Sequence, residues 1–393
     1  MHILIIPSYY PTEMQPLTGI FIQKQAAALR KAGHRVGVLV TPRINATREY
    51  VNRFGLLSLR PFTVQIEEPD IPVYRMHLGW FPRPLPPLVA LLLTQAGKSA
   101  FTQYCREYGV PDLLYPHNIF YGGVLAARLS RQYHIRSILL EHSSSFLEGL
   151  IVFPGQPGLI REALQNIHAC LVVGSSLIRP LQSYSPQTSI EILGNVIDTD
   201  FFTLSPHASP TSPFTFTVIA QLKERRKGFD ILIDAFHQAF SGRDDVRLNI
   251  RGSGVLRKEI DAHIARLGLE TQVKILGDYM SLEALRELIW QSHVVVCSST
   301  VETFAVSIAE GMSCGKPVIV TRCGGPEDYV TEDSGFIVDP GSAAALANAM
   351  TQIAVDYHRF DAERIRHVCL ERYSERAIVR RIEDTYDAIL ARR

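Results

Sequence analysis

HVVVCSSTVETFAVSIAEGM, residues 293–312, contains the most informative structural transition in the chain. The apolar run His293–Cys297 predicts a buried strand, and a short polar turn follows it. The segment Phe304–Met312 has the apolar spacing of a helix. A short strand that leads directly into a helix is the unit from which parallel α/β sheets are built.

The same alternation of short apolar runs and longer helical segments extends through most of the chain. It begins with a strand at His2–Ile6 and a helix at Ile20–Ala32, and it restarts with a strand at Phe214–Ile219. Between them, Thr203–Pro213 is polar and proline-rich, which is typical of an interdomain linker. The sequence therefore predicts two facing Rossmann-like domains with parallel sheets, whose ligand binds in an interdomain cleft at the carboxyl ends of the strands.

The 393 residues are enough for two to three domains. We expect an N-terminal Rossmann-like domain over 1–202 and a C-terminal Rossmann-like domain over 203–373. A terminal helix over 374–393 is expected to pack back on the N-terminal domain. Residues 41–72 are rich in Pro, Asn and Arg without a clear period, which predicts a long loop or an insertion.

The composition excludes several classes of protein. With 40 Lys+Arg, 39 Asp+Glu and 46% hydrophobic residues, the chain has an ordinary globular balance. This excludes a disordered, collagen-like or strongly basic nucleic-acid-coating protein. The six cysteines form no CxxC pair, which speaks against a zinc ribbon or a dense disulfide framework and favours a reducing cytoplasm.

The N-terminal part of the chain is a candidate for peripheral membrane contact. Residues 1–60 contain eight basic and two acidic side chains, and Trp80, Phe81 and the apolar run Leu85–Leu93 lie nearby. Solvated charges on helix surfaces are the simpler interpretation. The apolar run is far shorter than the ~20 residues needed to span a bilayer, and no export signal is visible. We therefore expect a cytoplasmic protein, with the inner face of the membrane as a candidate contact.

Two glutamates lie near the start of the helix predicted at Phe304–Met312. Glu302 follows the strand, and Glu310 lies eight residues further on. If the helix starts promptly, the two carboxylates lie about 12 Å apart along its axis, beyond the roughly 5–9.5 Å that glycoside hydrolysis requires. The spacing suits two hydroxyl-bearing ends of one long ligand, with an anionic middle bound by the free amides of Thr303–Val306. A nucleoside diphosphate sugar has this layout; a capping Glu302 and a surface Glu310 are the alternative.

Three further turns carry residue types that suit phosphate binding. Lys227-Gly228-Phe229-Asp230 opens a helix, and Arg225 and Arg226 add positive charge, although a basic surface turn fits equally. Gly252-Ser253-Gly254 is only a fragment of a dinucleotide fingerprint, and a tight turn is its favoured interpretation. Gly324-Gly325-Pro326-Glu327 is either a turn whose amides face the same ligand or an ordinary loop.

The first half of the chain offers one glycine and two histidines. Gly19 precedes a helix start, where its amide could meet the same diphosphate. His117 and His142 both end predicted strands, the end at which α/β sites form. A single histidine there is more often structural, but two on neighbouring strand ends favour a functional role.

In order and spacing, these stretches resemble the family-4 retaining glycosyltransferases with the GT-B fold, glycosyl transferases group 1. The resemblance runs along nearly the whole chain. The stretches that carry it are Gly19-Ile20-Phe21, Leu29, Gly33-His34, Lys227–Asp230, Arg251–Gly254, Ser299–Glu310, Gly315–Val318 and Gly324–Pro326. Each of them alone is weak, whereas their combination is specific.

The resemblance implies a role for each matching residue. Glu310 is implied to bind the ribose hydroxyls, Glu302 the transferred sugar, and Lys227 the phosphates. His117 is implied to lie by the donor sugar, while His142 is a looser match. The residues implied to hold the diphosphate through backbone amides are Thr303, Phe304, Ala305 and Val306.

The remaining implied contacts surround the nucleotide. Gly19 would face the phosphates from the N-terminal domain, and the stretch with Gly252, Gly254 and Leu276 would border the nucleobase. The sequence departs from the family at Gln221, where an arginine is usual. Either Arg226 or its neighbour Arg225 substitutes, or donor binding is weaker by about one to two decades.

The function implied is retaining, metal-independent transfer of a sugar from a UDP-, GDP- or ADP-sugar to a saccharide or lipid-linked acceptor. Cell-surface polysaccharide or glycoconjugate synthesis is the expected setting, with acceptor-binding loops at about 41–85. No separate cofactor and no nucleic-acid partner are expected. A sugar-nucleotide epimerase and a non-catalytic nucleotide-binding scaffold remain as alternatives. A nicotinamide dehydrogenase is a poor one, because no full Gly-x-Gly-x-x-Gly follows the first strand.

Overall fold

The computed structural model describes residues 1–13, 15–41, 63–67, 70–76, 86–207, 212–277 and 280–391. The chain divides into two compact units: Met1–Val196 with Ile378–Arg393, and Ile197–Ala377. The sequence places its boundaries at residues 202 and 373, six and four residues from these divisions, and they stay predictions. The predicted linker falls in the second unit, and its residues 208–211 lie outside the described ranges.

The first unit is built on an eight-stranded sheet of order β3-β4-β2-β1-β5-β6-β7-β8. Its neighbouring strands are parallel except for the antiparallel pair β3–β4. The strands are β1 His2–Pro7, β2 Arg35–Val40, β3 Thr63–Glu67, β4 Ile71–Arg75, β5 Leu113–His117, β6 Arg136–Glu141, β7 Ala169–Val172 and β8 Ile190–Ile192. The helices are α1 Ile20–Lys31, α2 Pro86–Tyr108, α3 Val124–Tyr133, α4 Gln156–Asn166 and α5 Ile178–Gln182.

Residues 41–72 were expected to form a long loop or an acceptor-side insertion; strand β3 and the start of β4 lie in this range, so a loop throughout it is wrong. The two strands pair with each other, and β4 extends the sheet beside β2 through the pair Val38 and Val73. The sequence did not predict the second strand because of Pro72. Proline has no N–H to donate to the hydrogen bonds between strands, so its presence argues against a strand. Residues 42–62 and 77–85, which include Trp80 and Phe81, lie outside the described ranges.

The second unit has a six-stranded, fully parallel sheet of order β11-β10-β9-β12-β13-β14. The strands are β9 Phe214–Ile219, β10 Val246–Arg251, β11 Val273–Leu276, β12 Val294–Cys297, β13 Val318–Thr321 and β14 Gly335–Val338. The helices are α6 Phe229–Phe240, α7 Arg257–Arg266, α8 Leu282–Trp290, α9 Val306–Ser313, α10 Ala343–Val355 and α11 Ala362–Tyr373. Phe236 and Phe240 of α6 and Met350 of α10 pack with Phe216 of β9 in a buried core.

The last helix, α12 Glu375–Ala391, returns to the first unit from Ile378 onward. Ile378 and Ile382 are buried there, and Glu383 pairs with His34 at 3.0 Å. None of the helices in the described ranges is both long and apolar enough to cross a lipid bilayer. The two sheets, parallel except for the β3–β4 pair, confirm the predicted α/β class.

Candidate functional site

The turns singled out in the second unit meet at the carboxyl edge of its sheet. Because β9, β10, β12 and β13 are parallel, the loops that follow them leave from the same edge. Backbone hydrogen bonds join these loops: the N–H of Leu222 donates to Ser253 O at 2.8 Å, and that of Thr300 to Arg226 O at 2.7 Å. The Glu302 N–H donates to Cys323 O at 2.8 Å. The fold therefore gathers Lys227, Gly252, Gly254 and Glu302, which are distant in sequence.

Lys227 and Glu302 form an ion pair at this edge. The Lys227 Nζ donates to Glu302 Oε1 at 2.5 Å, and the two side chains are only 17% and 15% exposed. The Ser299 hydroxyl donates to the same oxygen at 2.9 Å, and the Ser298 hydroxyl donates to Lys227 O at 2.8 Å. The carboxylate of Glu302 is thus a partner of the lysine and not a helix cap.

The helix that follows Glu302 begins later than predicted, at Val306 instead of Phe304. Its N-cap, Ala305, has a left-handed backbone with φ 62°, which costs about 1–2 kcal/mol for a residue with a Cβ. The Tyr329 hydroxyl donates to Phe304 O at 2.6 Å and to Ala305 O at 3.0 Å, and so holds this turn. The 12 Å separation of the two carboxylates assumed a prompt helix start and does not apply.

A glycine behind this turn permits its close packing. A Cβ on Gly325 would lie 2.5 Å from the Phe304 nitrogen, so a side chain there would displace the Thr303–Phe304 peptide. The turn leads into α9, whose first N–H groups have no intrahelical acceptor. A fixed turn with free amides at a helix start is the arrangement that binds anions in other proteins.

Glu310 lies on α9 and is only 6% exposed. The alternative of a surface glutamate at this position is therefore wrong. Gly252 and Gly254 lie in the turn after β10, and a Cβ on Gly252 would approach Ala220 O to 1.9 Å, which supports the tight-turn interpretation. Leu276 ends β11 at the same edge of the sheet.

The two arginines proposed as replacements for the missing one have protein partners. Arg225 forms a two-point salt bridge with Glu259, with distances of 2.5 and 2.9 Å. Arg226 donates to Val301 O at 2.8 Å and pairs with Glu224. Both guanidinium groups therefore support the loops around Lys227 in this structure. Gln221, at the arginine position, accepts a long hydrogen bond of 3.5 Å from the Ser253 hydroxyl.

In the first unit, the two predicted histidines come together. His117 ends β5 and His142 follows β6; their ring nitrogens Nδ1 and Nε2 are 2.9 Å apart. Gly19 is the N-cap of α1, and Phe21 lies two residues after it. The Phe21 ring is 4.7 Å from that of His142. Burial lowers the pKa of His142 to about 3 and that of His117 well below its usual value. Both imidazoles are therefore neutral at physiological pH.

Glu141, the last residue of β6, was not predicted as a site residue. Its side chain is fully buried, and its carboxylate accepts hydrogen bonds from backbone N–H groups of both loops that carry the histidines. The signal was an acidic residue at the end of the apolar run of β6, directly before His142. Such a residue has no partner that a sequence pattern could identify.

Among the residues that the structure describes, no group of three or more His, Cys, Asp or Glu side chains is arranged to hold a metal ion. The ionised groups that face one another at the edge of the second sheet are Lys227 and Glu302, a cation and an anion. Metal independence stays a prediction.

Known proteins resemble this chain in sequence. Residues 202–366 match the family model described as glycosyl transferases group 1. The gpi3 subunit of phosphatidylinositol N-acetylglucosaminyltransferase from Schizosaccharomyces pombe is 24% identical over 202 residues, which cover 51% of this chain and 44% of that protein. The N-acetyl-α-D-glucosaminyl L-malate synthase of Bacillus anthracis is 25% identical over 248 residues, covering 60% of this chain and 64% of that protein. The chain thus spans less than half the length of the first of these relatives.

Two solved structures are similar along the whole chain. A sucrose-phosphate synthase from Thermosynechococcus elongatus superposes with a TM-score of 0.77 at 19% identity and covers 100% of both chains. HepE from Anabaena in complex with UDP superposes with a TM-score of 0.71 at 20% identity and covers 99% of this chain and 100% of the other. At these identities, the similarity establishes the fold.

Proposed function

We propose a specific reaction for this chain. Its residues 202–366 match the glycosyl transferases group 1, and it has the GT-B fold. The chain transfers a sugar from a UDP-, GDP- or ADP-sugar to a saccharide or lipid-linked acceptor, with retention at the anomeric carbon. The observation that carries the proposal is the assembly at one sheet edge of Lys227, Glu302 and the Thr303–Val306 turn, with the buried Glu310 on the helix that follows.

The departing diphosphate is stabilised by Lys227 and by the free amides at the start of α9. Charge that develops on the leaving group then meets fixed positive dipoles and one ammonium, without a metal ion. Because the Lys227 amine is bound to Glu302 in this structure, the donor shares or replaces that contact when it binds. The acceptor hydroxyl attacks from the face that the diphosphate leaves, and a phosphate oxygen takes its proton. No side chain is needed as a nucleophile.

The donor contacts are those that the family resemblance implies. Glu310 binds the ribose hydroxyls and Glu302 the transferred sugar, and Gly252, Gly254 and Leu276 border the nucleobase. His117 and Gly19 belong to the proposal on the resemblance alone. The UDP complex of HepE, a protein of the same fold, supports a nucleotide at this kind of site.

A lipid-linked acceptor at the inner face of the membrane, for a cell-surface polysaccharide or glycoconjugate, is the setting we propose. Curated relatives are named for transfer to phosphatidylinositol. In the first unit, Leu91 on α2 and Val152 and Phe153 before α4 are exposed apolar side chains. Gly155 lies against Pro87, which places the two apolar stretches next to each other. The six cysteines are all free thiols, which suits a reducing cytoplasm.

The test is thermal stabilisation by UDP, GDP and ADP, each with and without EDTA. We expect one nucleotide to raise the melting temperature of the wild type with or without EDTA, and to leave Glu310→Ala unchanged. Glu287→Ala, an exposed helix glutamate of the same unit, is the matched control and should respond like the wild type.

Two outcomes would overturn the proposal. No stabilisation by any of the three at millimolar concentration would favour a non-catalytic scaffold, for which Gln221 in place of arginine is the supporting observation. Incubation of the donor alone tests the other alternative. Epimerisation of its sugar without any acceptor would favour an epimerase.

A further inference from the structure

Glu141 is a buried acid that the proposed reaction does not use. Its Oε2 accepts the N–H of Ile119 at 2.7 Å, and its Oε1 accepts those of His142 at 2.9 Å and Ser143 at 2.8 Å. Hydrogen bonds to an ionised acceptor are about twice as strong as neutral ones. One carboxylate therefore ties the loop after β5 to the loop after β6.

These two loops carry the histidine pair. His117 precedes Ile119 by two residues, and His142 directly follows Glu141. Asn118, between His117 and Ile119, has a left-handed backbone with φ 68°, which needs support from neighbouring groups. Although His117 is fully buried, its Nε2 has no hydrogen-bond partner among the residues that the structure describes. The Glu141 carboxylate thus fixes the backbone next to both histidines, and one of these, His117, has a buried ring nitrogen without a partner among the described residues.

We propose that Glu141 is a positioning residue, whose ionised carboxylate holds the loops after β5 and β6 and thereby sets the orientation of the His117 ring. The inference rests on the proposed function, in which His117 lies by the donor sugar. An ionised carboxylate accepts all three N–H groups in charge-assisted hydrogen bonds, whereas a protonated one is a weaker acceptor and adds an O–H donor that needs an acceptor of its own. Ring orientation is therefore coupled to the protonation of Glu141.

Within the described part of the chain, the Glu141 carboxylate contacts three backbone N–H groups, and the Cys170 thiol of β7 lies near it; none of these is a cation. Burial keeps both imidazoles neutral, and burial together with Glu141 raises the pKa of the thiol. Burial of Glu141 outweighs the opposing effect of the three N–H groups and raises its pKa to about 7. The coupling should therefore act between pH 6 and pH 8.

The first experiment measures kcat and donor KM of Glu141→Gln between pH 6 and pH 8.5. In the wild type, kcat should rise with pH through a midpoint near 7. The variant should lose about tenfold in kcat at pH 8, because the NH₂ group of the glutamine side chain faces a backbone N–H that needs an acceptor. Its donor KM should stay within about twofold of the wild-type value. It should also lack the pH step. Glu191→Gln, an exposed glutamate on β8 of the same sheet, should keep the wild-type profile. A variant with wild-type kcat and an unchanged step would overturn the inference.

The second experiment needs neither turnover nor a variant that folds. Ring-nitrogen NMR signals of His117 and His142 in the wild-type protein should shift between pH 8 and pH 6 with a midpoint near 7, although neither imidazole titrates there. Unchanged signals would overturn the inference. A shift in a protein that turns over no donor would mean that the proposed function fails while the role of Glu141 stands.

Discussion

The two units carry polar side chains at the same end of a parallel sheet but stabilise them in opposite ways. In the second unit, Lys227 and Glu302 satisfy each other as a cation and an anion at a partly exposed edge. In the first unit, His117 and His142 are buried and neutral, and the acid beside them is held by backbone N–H groups. One topology can therefore provide an ion pair that a charged ligand opens, or two neutral imidazoles beside an acid that backbone N–H groups hold before the ligand arrives.

The largest effect should come from the ion pair. Lys227→Ala removes the proposed phosphate cation and leaves Glu302 without its partner, so kcat should fall by about 10²–10³-fold. Steady-state kinetics measure this, with the exposed Lys223→Ala as the control. A loss below about threefold would mean that the ion pair is only structural and that the contrast between the two edges has no functional meaning.

The buried acid gives the next largest effect, and it should appear in stability. Burial raises the pKa of Glu141 from 4.5 to about 7, so the folded protein binds this proton more tightly than the unfolded chain. The stabilisation is full below pH 4.5 and is lost as the pH rises through 7. Relative to Glu141→Gln, the free energy of unfolding of the wild type should fall by about 3 kcal/mol across this range.

Urea denaturation of both proteins at a series of pH values measures this difference. The exposed Glu191→Gln should show no such dependence on pH. A difference between wild type and Glu141→Gln that stays constant from pH 4 to pH 8 would contradict the raised pKa of Glu141.

A smaller effect should follow at the turn before α9. Tyr329→Phe removes the O–H that binds the carbonyls of Phe304 and Ala305, which should cost about 1–2 kcal/mol. It should also weaken nucleotide binding, because the amides of the turn lose their fixed direction. Denaturation and nucleotide titration test this, with Tyr133→Phe in the first unit as a control. Unchanged nucleotide affinity would show that the turn is not part of the site.

The smallest effect concerns the left-handed residue in that turn. Ala305→Gly relieves the backbone strain but adds chain entropy, so the free energy of unfolding should change by less than about 0.5 kcal/mol. Ala347→Gly, in the interior of α10, should cost about 1 kcal/mol. Equal losses in the two variants would mean that the turn is not strained.

The regular elements were predicted best where an apolar run and a helical period agree. The predicted strand Phe214–Ile219 matches β9 to the residue, and the helix predicted at Ile20–Ala32 differs from α1 by one residue at its end. The start of α9 was placed two residues too early, because Tyr329 and Gly325, distant in sequence, impose the left-handed turn. Local patterns do not contain such tertiary contacts.

The candidate site was predictable in its location but not in its pairing. Parallel strands bring their following loops to one edge, so the motifs could be expected to meet there. That Lys227 binds Glu302, 75 residues away, depends on side-chain packing. Glu141 was missed for the same reason, because its partners are backbone N–H groups that every residue except proline carries.

Helix α12 has a consequence for how the protein is made. Its residues from Ile378 onward belong to the first unit, whose sheet and other helices are encoded before Val196. During translation, these earlier segments leave the ribosome while the surface that Ile378 and Ile382 cover is still bare, and the whole second unit is synthesised in the interval. We therefore expect the first unit, although it is synthesised first, to complete its folding last. Until then its uncovered apolar surface is available to chaperones.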